Sequence, residues 1–525
     1  MASLTSLNRS LLKGTALFGG TQMVNMLTAV VRGKLVAALL GTVGMGISSI
    51  YMSTLLPLQQ FFSMGIATAI VSVVAGISAE TAEGARDLKE RIEACRRVLL
   101  ILSLAGMAFM VLSAMWLSRF SFGDDTHTKA YALLGIALVF LIMEGGETAF
   151  LQSRRYMKEV AMRNVISALA GLVISVPLYW WLGIEGIVPA IIGCAVVVWI
   201  YPRLMNRSYG LGCQSLSWSR TWSLGRNAIM LGFLLMVAAM LGNVTSYFLN
   251  VGIRELGGLG DVGLYQASNT ITGQYVGMVF AAMATDYFPR LSALKHDKAE
   301  ATALVRQEFE LVLLIMAPIV VALIVTAPLL IRILLTEEFL PLTSVIRIIG
   351  VSLLCKAAYF PIGYISLAYG RKRFFFWTEA VWDNVKNFCV ILGFYYLWGI
   401  DGIGWGLLVS GLIDVFVTSS VTQWVFGITV HRQLLRMFLP LFVGVSACAA
   451  LSFCESPWLS WGGMIACAVL VSLVCLKGLM QRVNMKEWIS HRKARKAATD
   501  ETSASAVATA DDATSDGASA DAAND

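Results

Sequence analysis

TQMVNMLTAVVRGKLVAALLGTVGMGI, residues 21–47, decides how the chain is read. The stretch is apolar enough and long enough for a membrane-crossing helix, and it closes in a glycine-rich reversal. Gln22, Asn25, Thr28 and Arg32 recur at intervals of three and four, so they share one helix face, while Met, Leu, Val and Ala fill the other. Arg32 stands about eight residues from the helix end, roughly 12 Å deep at ~1.5 Å per residue. A guanidinium at that depth is costly unless it faces protein or a water-filled cavity. Lys34 is two positions on and points elsewhere, either to a second contact or, by snorkelling, to the interface.

The rest of the composition agrees with a membrane chain. Of the 525 residues 57% are apolar and 14% charged, with a mean hydropathy of +0.72. Apolar runs recur from about 11–40 and 44–78 through about 458–480, giving about fourteen spans in an all-α polytopic protein. The net charge of +7 is read as loop lysine and arginine and not as a nucleic-acid signal. Basic clusters at Arg86–Arg97, Arg154/Arg155/Lys158, Arg203/Arg207/Arg220 and Arg371/Lys372/Arg373 alternate with loops holding little more than Arg119, Lys129, Arg254 and Arg332. The positive-inside rule then puts both termini in the cytoplasm. The N-terminus reads as a retained start and not as a signal peptide. No Cys/His spacing suggests a metal site or disulfide framework, and no GxxxxGK[ST] loop suggests an ATPase. The expectation is a non-enzymatic protein without cofactor, coupled at most to a proton or sodium gradient.

An internal repeat organises the chain. YWWLGIEGI (179–187) lies over YYLWGIDGI (395–403) at an offset of 216, as does AFLQSRRYMKEV (149–160) over ISLAYGRKRFFF (365–376). LLGTVGMGI (39–47) lies over LGGLGDVGL (256–264) at 217. The units expected are two like-oriented six-helix bundles, 1–205 and 206–430, with the transport site between them. An appended helix pair follows at 431–482, then a tail at 483–525, basic at first and then acidic, too poor in apolar surface to order itself.

VVRGKLVAALLGTVGMGI (30–47) and GLYQASNTITGQYVGMVFAAMATDYFPRLSAL (263–294) resemble the multidrug/oligosaccharidyl-lipid/polysaccharide exporter superfamily, most closely its polysaccharide-exporting branch of O-antigen translocases (Wzx-like flippases). The resemblance covers about residues 10–430. It implies a two-bundle transporter that flips an undecaprenyl-pyrophosphate-linked oligosaccharide from the cytoplasmic to the periplasmic leaflet of the inner membrane. It also implies that an arginine late in the first span, here Arg32, lines a cationic cavity. The span number resembles the peptidoglycan-precursor (lipid II) flippases instead, so that branch stays open. A cation-exporting branch is the third reading, disfavoured because the first span carries no acid. Implied partners are the lipid-linked oligosaccharide, membrane lipids, and a polysaccharide polymerase with glycosyltransferases.

Candidate substrate contacts are therefore Arg32, Lys34 and Asn25, with mid-span Lys356 and, on a second stripe of Asn243, Ser246 and Asn250, Arg254. Arginine suits a diphosphate because its planar fork binds two oxygens and stays charged. Glu144, Glu147 and Asp414 are candidates for ion coupling, the glutamates by proton exchange or by trading partners with Arg32 or Lys356. Asp383 and Lys386, three residues apart, read as a closed pair.

Overall fold

The computed structural model describes residues 2–75, 81–211, 216–295, 297–454 and 456–482. The acidic tail and the basic stretch before it lie outside the described residues. The described residues are 91% helical and contain no strand. The first half comprises α1 (Ala2–Ser63), α2 (Ile66–Ala75), α3 (Ala82–Phe122), α4 (Thr128–Ser153), α5 (Met157–Leu182) and α6 (Ile187–Ser208). The second comprises α7 (Trp218–Gly257), α8 (Leu259–Ala293), α9 (Lys298–Leu334), α10 (Leu342–Ala368), α11 (Lys372–Phe375), α12 (Asp383–Trp398) and α13 (Ile400–Phe426). Short α14 (His431–Gln433), α15 (Leu439–Leu451) and α16 (Pro457–Arg482) follow.

Nine helices among the described residues are long and apolar enough to cross a membrane, against the fourteen or so read from the sequence. Geometry accounts for part of the difference. Met23–Ser63 runs continuously through the reversal at Gly41, and Met157–Ser208 continues through a tight 3-10 turn, so each counts once. α12 has only 16 residues because the turns before it, Phe376–Trp382, are wound as a π-helix. The protein is a multi-pass membrane protein.

Burial divides into two apolar cores. One is built chiefly from α1–α6, with Tyr131, Phe150 and Ile50 at its centre. The other is built from α8–α16, with Phe309, Phe339 and Tyr287. α15 and α16 belong to the second, where Val445, Cys448, Met464 and Val471 pack towards α9 and α10.

The repeat interval recurs in the geometry. Gly41 and Gly258, 217 apart, both take positive φ (63° and 93°) at the reversal before a helix, a conformation that costs glycine little. Gly183 and Gly399, 216 apart, do the same (57° and 61°) after α5 and α12. The glycine three residues further on, Gly186 or Gly402, lies so close to its preceding helix that a Cβ would overlap the carbonyl of Leu178 or Phe394. Tyr179 and Tyr395, also 216 apart, are each 3% exposed. Where the halves cross, a Cβ on Gly46 would overlap the Leu259 carbonyl, and one on Gly263 would overlap the Thr42 carbonyl. Those two contacts are images of each other under the 217 shift. α1 thus meets α8 backbone to backbone, as small-residue crossings in membranes allow.

Candidate functional site

Beside that crossing α1, α5, α7 and α8 enclose a cavity of about 480 Å³. The first stripe read from the sequence reaches it through Asn25, Thr28 and Arg32, and the second through Asn243, Ser246 and Asn250. Both triples have the same three-then-four spacing, so one face of α1 and one of α7 look at each other across the space. The second half of α1 adds Ser48, Ser49 and Ser53, and α8 adds Gln266 and Thr270. Among the described residues that line it, Arg32 carries the one formal charge.

Arg32 lies over Gly171 of α5, where a Cβ would stand 2.8 Å from Nη1, so the glycine lets the guanidinium rest close against the helix. Tyr179, one of the repeat-related tyrosines, lines the same cavity from α5. Among the described residues no carboxylate pairs with Arg32. Opposite, Asn250 Nδ2 donates to Ser49 Oγ at 3.2 Å and Ser49 Oγ donates to Gln266 Oε1 at 3.1 Å. The amide oxygens of Asn25 and Asn250 are buried and accept no hydrogen bond among the described groups. Buried acceptors without donors are rare, because each forfeits its hydration. The cavity therefore offers one cation to an anion, with hydroxyl and amide side chains to a hydroxyl-rich ligand.

The other residues singled out from the sequence lie elsewhere. Lys34 Nζ donates to the Arg332 carbonyl at 3.1 Å, on the side of α1 that meets α9. Lys356 sits over the Phe280 ring, 5.8 Å from its centroid, and is exposed. Arg254 reaches the Phe120 carbonyl at 3.0 Å and neighbouring Glu255, tying α7 to the end of α3. None of the three lines the cavity.

The acidic residues have partners that differ from those expected. Glu147, 1% exposed, receives Arg96 through both oxygens (2.7 and 3.1 Å), Arg203 at 2.9 Å and Asn206 at 2.7 Å. Glu144 pairs with Arg163 at 2.6 Å and accepts from Thr148 at 2.7 Å. Neither glutamate meets Arg32 or Lys356, because α3, α5 and α6 bring nearer arginines. Asp414, read as locally unpaired, receives Lys386, which also donates to Asp383 at 3.0 Å. The expected Asp383–Lys386 pair is thus a triad, joined by Asn387 and Ser410. It borders a small cavity of about 30 Å³ between α10, the π-helical turn and α13.

Ser49, Gln266 and Tyr179 were not singled out for the site. The repeat held the signal: Ser49 and Gln266 are 217 apart, and Tyr179 lies within the strongest repeat match.

A search of curated proteins finds no match. Among solved structures, the chain is similar to one described as the lipid II flippase MurJ in an inward closed conformation, at 14% identity, covering 89% of this chain and 99% of that one with a TM-score of 0.67. An inward-facing multidrug resistance MATE family transporter of the MOP superfamily matches at 15% identity over 78% of this chain and 99% of that one, TM-score 0.58. A mutant of the Vibrio cholerae MATE transporter VcmN matches at 16% identity over 84% of this chain and 100% of that one, TM-score 0.53. At these identities the likeness is one of fold. Residues 52–344, more than half of the chain, match the family described as polysaccharide biosynthesis protein, and the chain belongs to that family.

Proposed function

We propose that the protein is a non-enzymatic flippase that moves an undecaprenyl-pyrophosphate-linked oligosaccharide, an O-antigen or related surface polysaccharide unit, from the cytoplasmic to the periplasmic leaflet of the inner membrane by alternating access. The observation that carries the reading is Arg32, free of carboxylate partners, inside a cavity walled by hydroxyl and amide side chains from both halves. A lipid diphosphate needs a cation away from bulk water, and its sugars need hydrogen-bonding groups. Arg32 binds phosphate oxygens, the serine, threonine and amide side chains of the lining take sugar hydroxyls, and the polyprenyl chain stays in lipid. One arginine holds the anion without trapping it. The basic loops face the cytoplasm, as do both termini.

Coupling to a proton or sodium gradient runs through the Asp383–Lys386–Asp414 triad, where two carboxylates share one ammonium and a small cavity adjoins them. Glycosyltransferases supply the substrate and a polymerase consumes it.

A second reading, a lipid II flippase, is favoured by the fold match to MurJ. Cation export is disfavoured because the described cavity-lining residues include no acid. The test is the lipid-linked glycan retained in the inner leaflet when the protein is depleted. A surface-polysaccharide unit supports the first reading, lipid II supports the second, and no retained glycan sinks both.

A further inference from the structure

Glu144 and Glu147 are one turn apart on α4, but their surroundings diverge. The Glu147 clamp is sealed: Arg96 is 6% exposed, and its guanidinium is consumed by Glu147, Glu93 and the Leu211 carbonyl. The Glu144 pair opens on a second cavity, of about 610 Å³, between α2, α4 and α5. Arg163 spends Nη2 on Glu144 and Nη1 on Asn164 Oδ1 at 2.9 Å, while its Nε is buried and unpartnered. A guanidinium with a spare, desolvated N–H is half-filled, because its fork is built to meet two oxygens side by side. Thr68, Thr148 and Gln152 supply further polar groups to the same space. The cavity adjoins the short turn between α4 and α5 that carries Arg154 and Arg155, so the local field favours an anion.

We infer that this cavity is a second phosphate-binding site, in which Arg163 exchanges Glu144 for a phosphate-class anion while Glu144 keeps its bond from Thr148. Arg163 is eight residues before Gly171, the residue beneath Arg32, or roughly 12 Å along α5 at ~1.5 Å per residue. One α5 helix therefore presents two anion stations in sequence, and the tethered carboxylate prevents the first from holding its ligand too firmly. As a station on a transport route the site rests on the reading above; as an anion site it does not.

The probe is inorganic pyrophosphate, titrated calorimetrically into the full-length protein in phosphatidylcholine nanodiscs, all in an Arg32→Ala background. Binding should persist there, tighten about fivefold with Glu144→Gln, the worth of one partly exposed ion pair, weaken with Arg163→Lys and vanish with Arg163→Ala. A folded Glu144→Gln protein that binds no more tightly overturns the site, since that variant keeps the cation. Loss of all binding in Arg32→Ala alone also overturns it. Repeating the titration with phosphatidylglycerol in the discs identifies the source: weakened pyrophosphate binding assigns the site to a lipid headgroup, unchanged binding to a diphosphate from the aqueous side, and both support the shared chemistry. Full export by Arg32→Ala with Arg163-dependent binding intact would sink the central-cavity reading and leave this one standing.

Discussion

Ser49 donates a hydrogen bond of 3.1 Å to Gln266, and the two are 217 residues apart, the interval that also separates Gly46 from Gly263 and Gly41 from Gly258. Equivalent positions of a repeated unit touch only where they flank the symmetry axis relating the units. The crossing of α1 and α8, beside the cavity that holds Arg32, therefore brings repeat-related positions into contact.

Substituting Arg32 separates charge from geometry. Arg32→Ala should abolish glycan export, and Arg32→Lys should keep part of it, because an ammonium preserves the charge and loses the bidentate fork. The expected loss for Lys is about ten- to hundredfold, the size of one charge-assisted hydrogen bond. Surface polysaccharide quantified in cells expressing equal amounts of each variant decides it. Wild-type export by the Ala variant would remove Arg32 from the mechanism.

Gly46→Ala and Gly263→Ala should each lower the thermal midpoint of the purified protein, since each Cβ meets backbone that cannot swing aside. The cost is about 1–3 kcal/mol, as for overpacking a core. Gly277→Ala, in the same helix as Gly263 with nothing near its Cβ, serves as the control and should not fall. An equal drop in all three would reduce the crossing to ordinary helix packing.

The Glu147 clamp should prove structural. Glu147→Ala leaves Arg96 buried without its main partner, at a cost of about 3–5 kcal/mol, and the monodisperse yield in size-exclusion chromatography should collapse. Replacing Arg96 and Glu147 together with Met and Leu should recover part of it. A well-folded Glu147→Ala protein defective only in transport would instead restore Glu147 as a coupling residue.

The loop before α4 gives a pH dependence outside the membrane. His127 accepts from or donates to the Tyr51 hydroxyl at 2.7 Å and stacks on Phe122 at 3.8 Å, and burial lowers its pKa from 6.5 despite the nearby Asp124 carboxylate. The unfolded chain then binds more protons than the folded one below about pH 6.5, so stability falls as pH drops through that value towards the depressed one. Asp124 and Asp125, held low by Thr126 and Arg119, act in the same direction at lower pH. Thermal midpoints between pH 7.5 and 5.5 should decline for the native chain and decline less for His127→Gln. Identical slopes would refute the assignment.

Periodicity made the helices and the polar stripe legible, because a face repeating at three and four residues needs no tertiary information. The repeat made the relation of Gly41 to Gly258 and Tyr179 to Tyr395 legible as well. Partnership was not. Lys356 reads as a cavity cation by depth, Arg254 by its place on the second stripe and Lys34 by its nearness to Arg32, but the direction of each side chain depends on which helix packs beside it. Glu144 and Glu147 shared a face and a reading, and only the placement of α3, α5 and α6 gave one Arg163 and the other Arg96 with Arg203. Asp414 found its lysine on a helix 28 residues away in sequence.

The reversal at Gly41 has a further consequence. The amide and hydroxyl of Thr42, at the start of the helix that follows, both donate to the Glu338 carboxylate, at 3.2 and 2.6 Å. Glu338 belongs to the opposite half of the molecule, in the turn between α9 and α10. The first half thus borrows a helix cap from the second, and cannot swing away at that end without surrendering it to water. On the alternating-access reading proposed above, this single carboxylate would weight the population of closed and open forms, and a cysteine pair at 42 and 338 would serve as a reversible lock on the cycle.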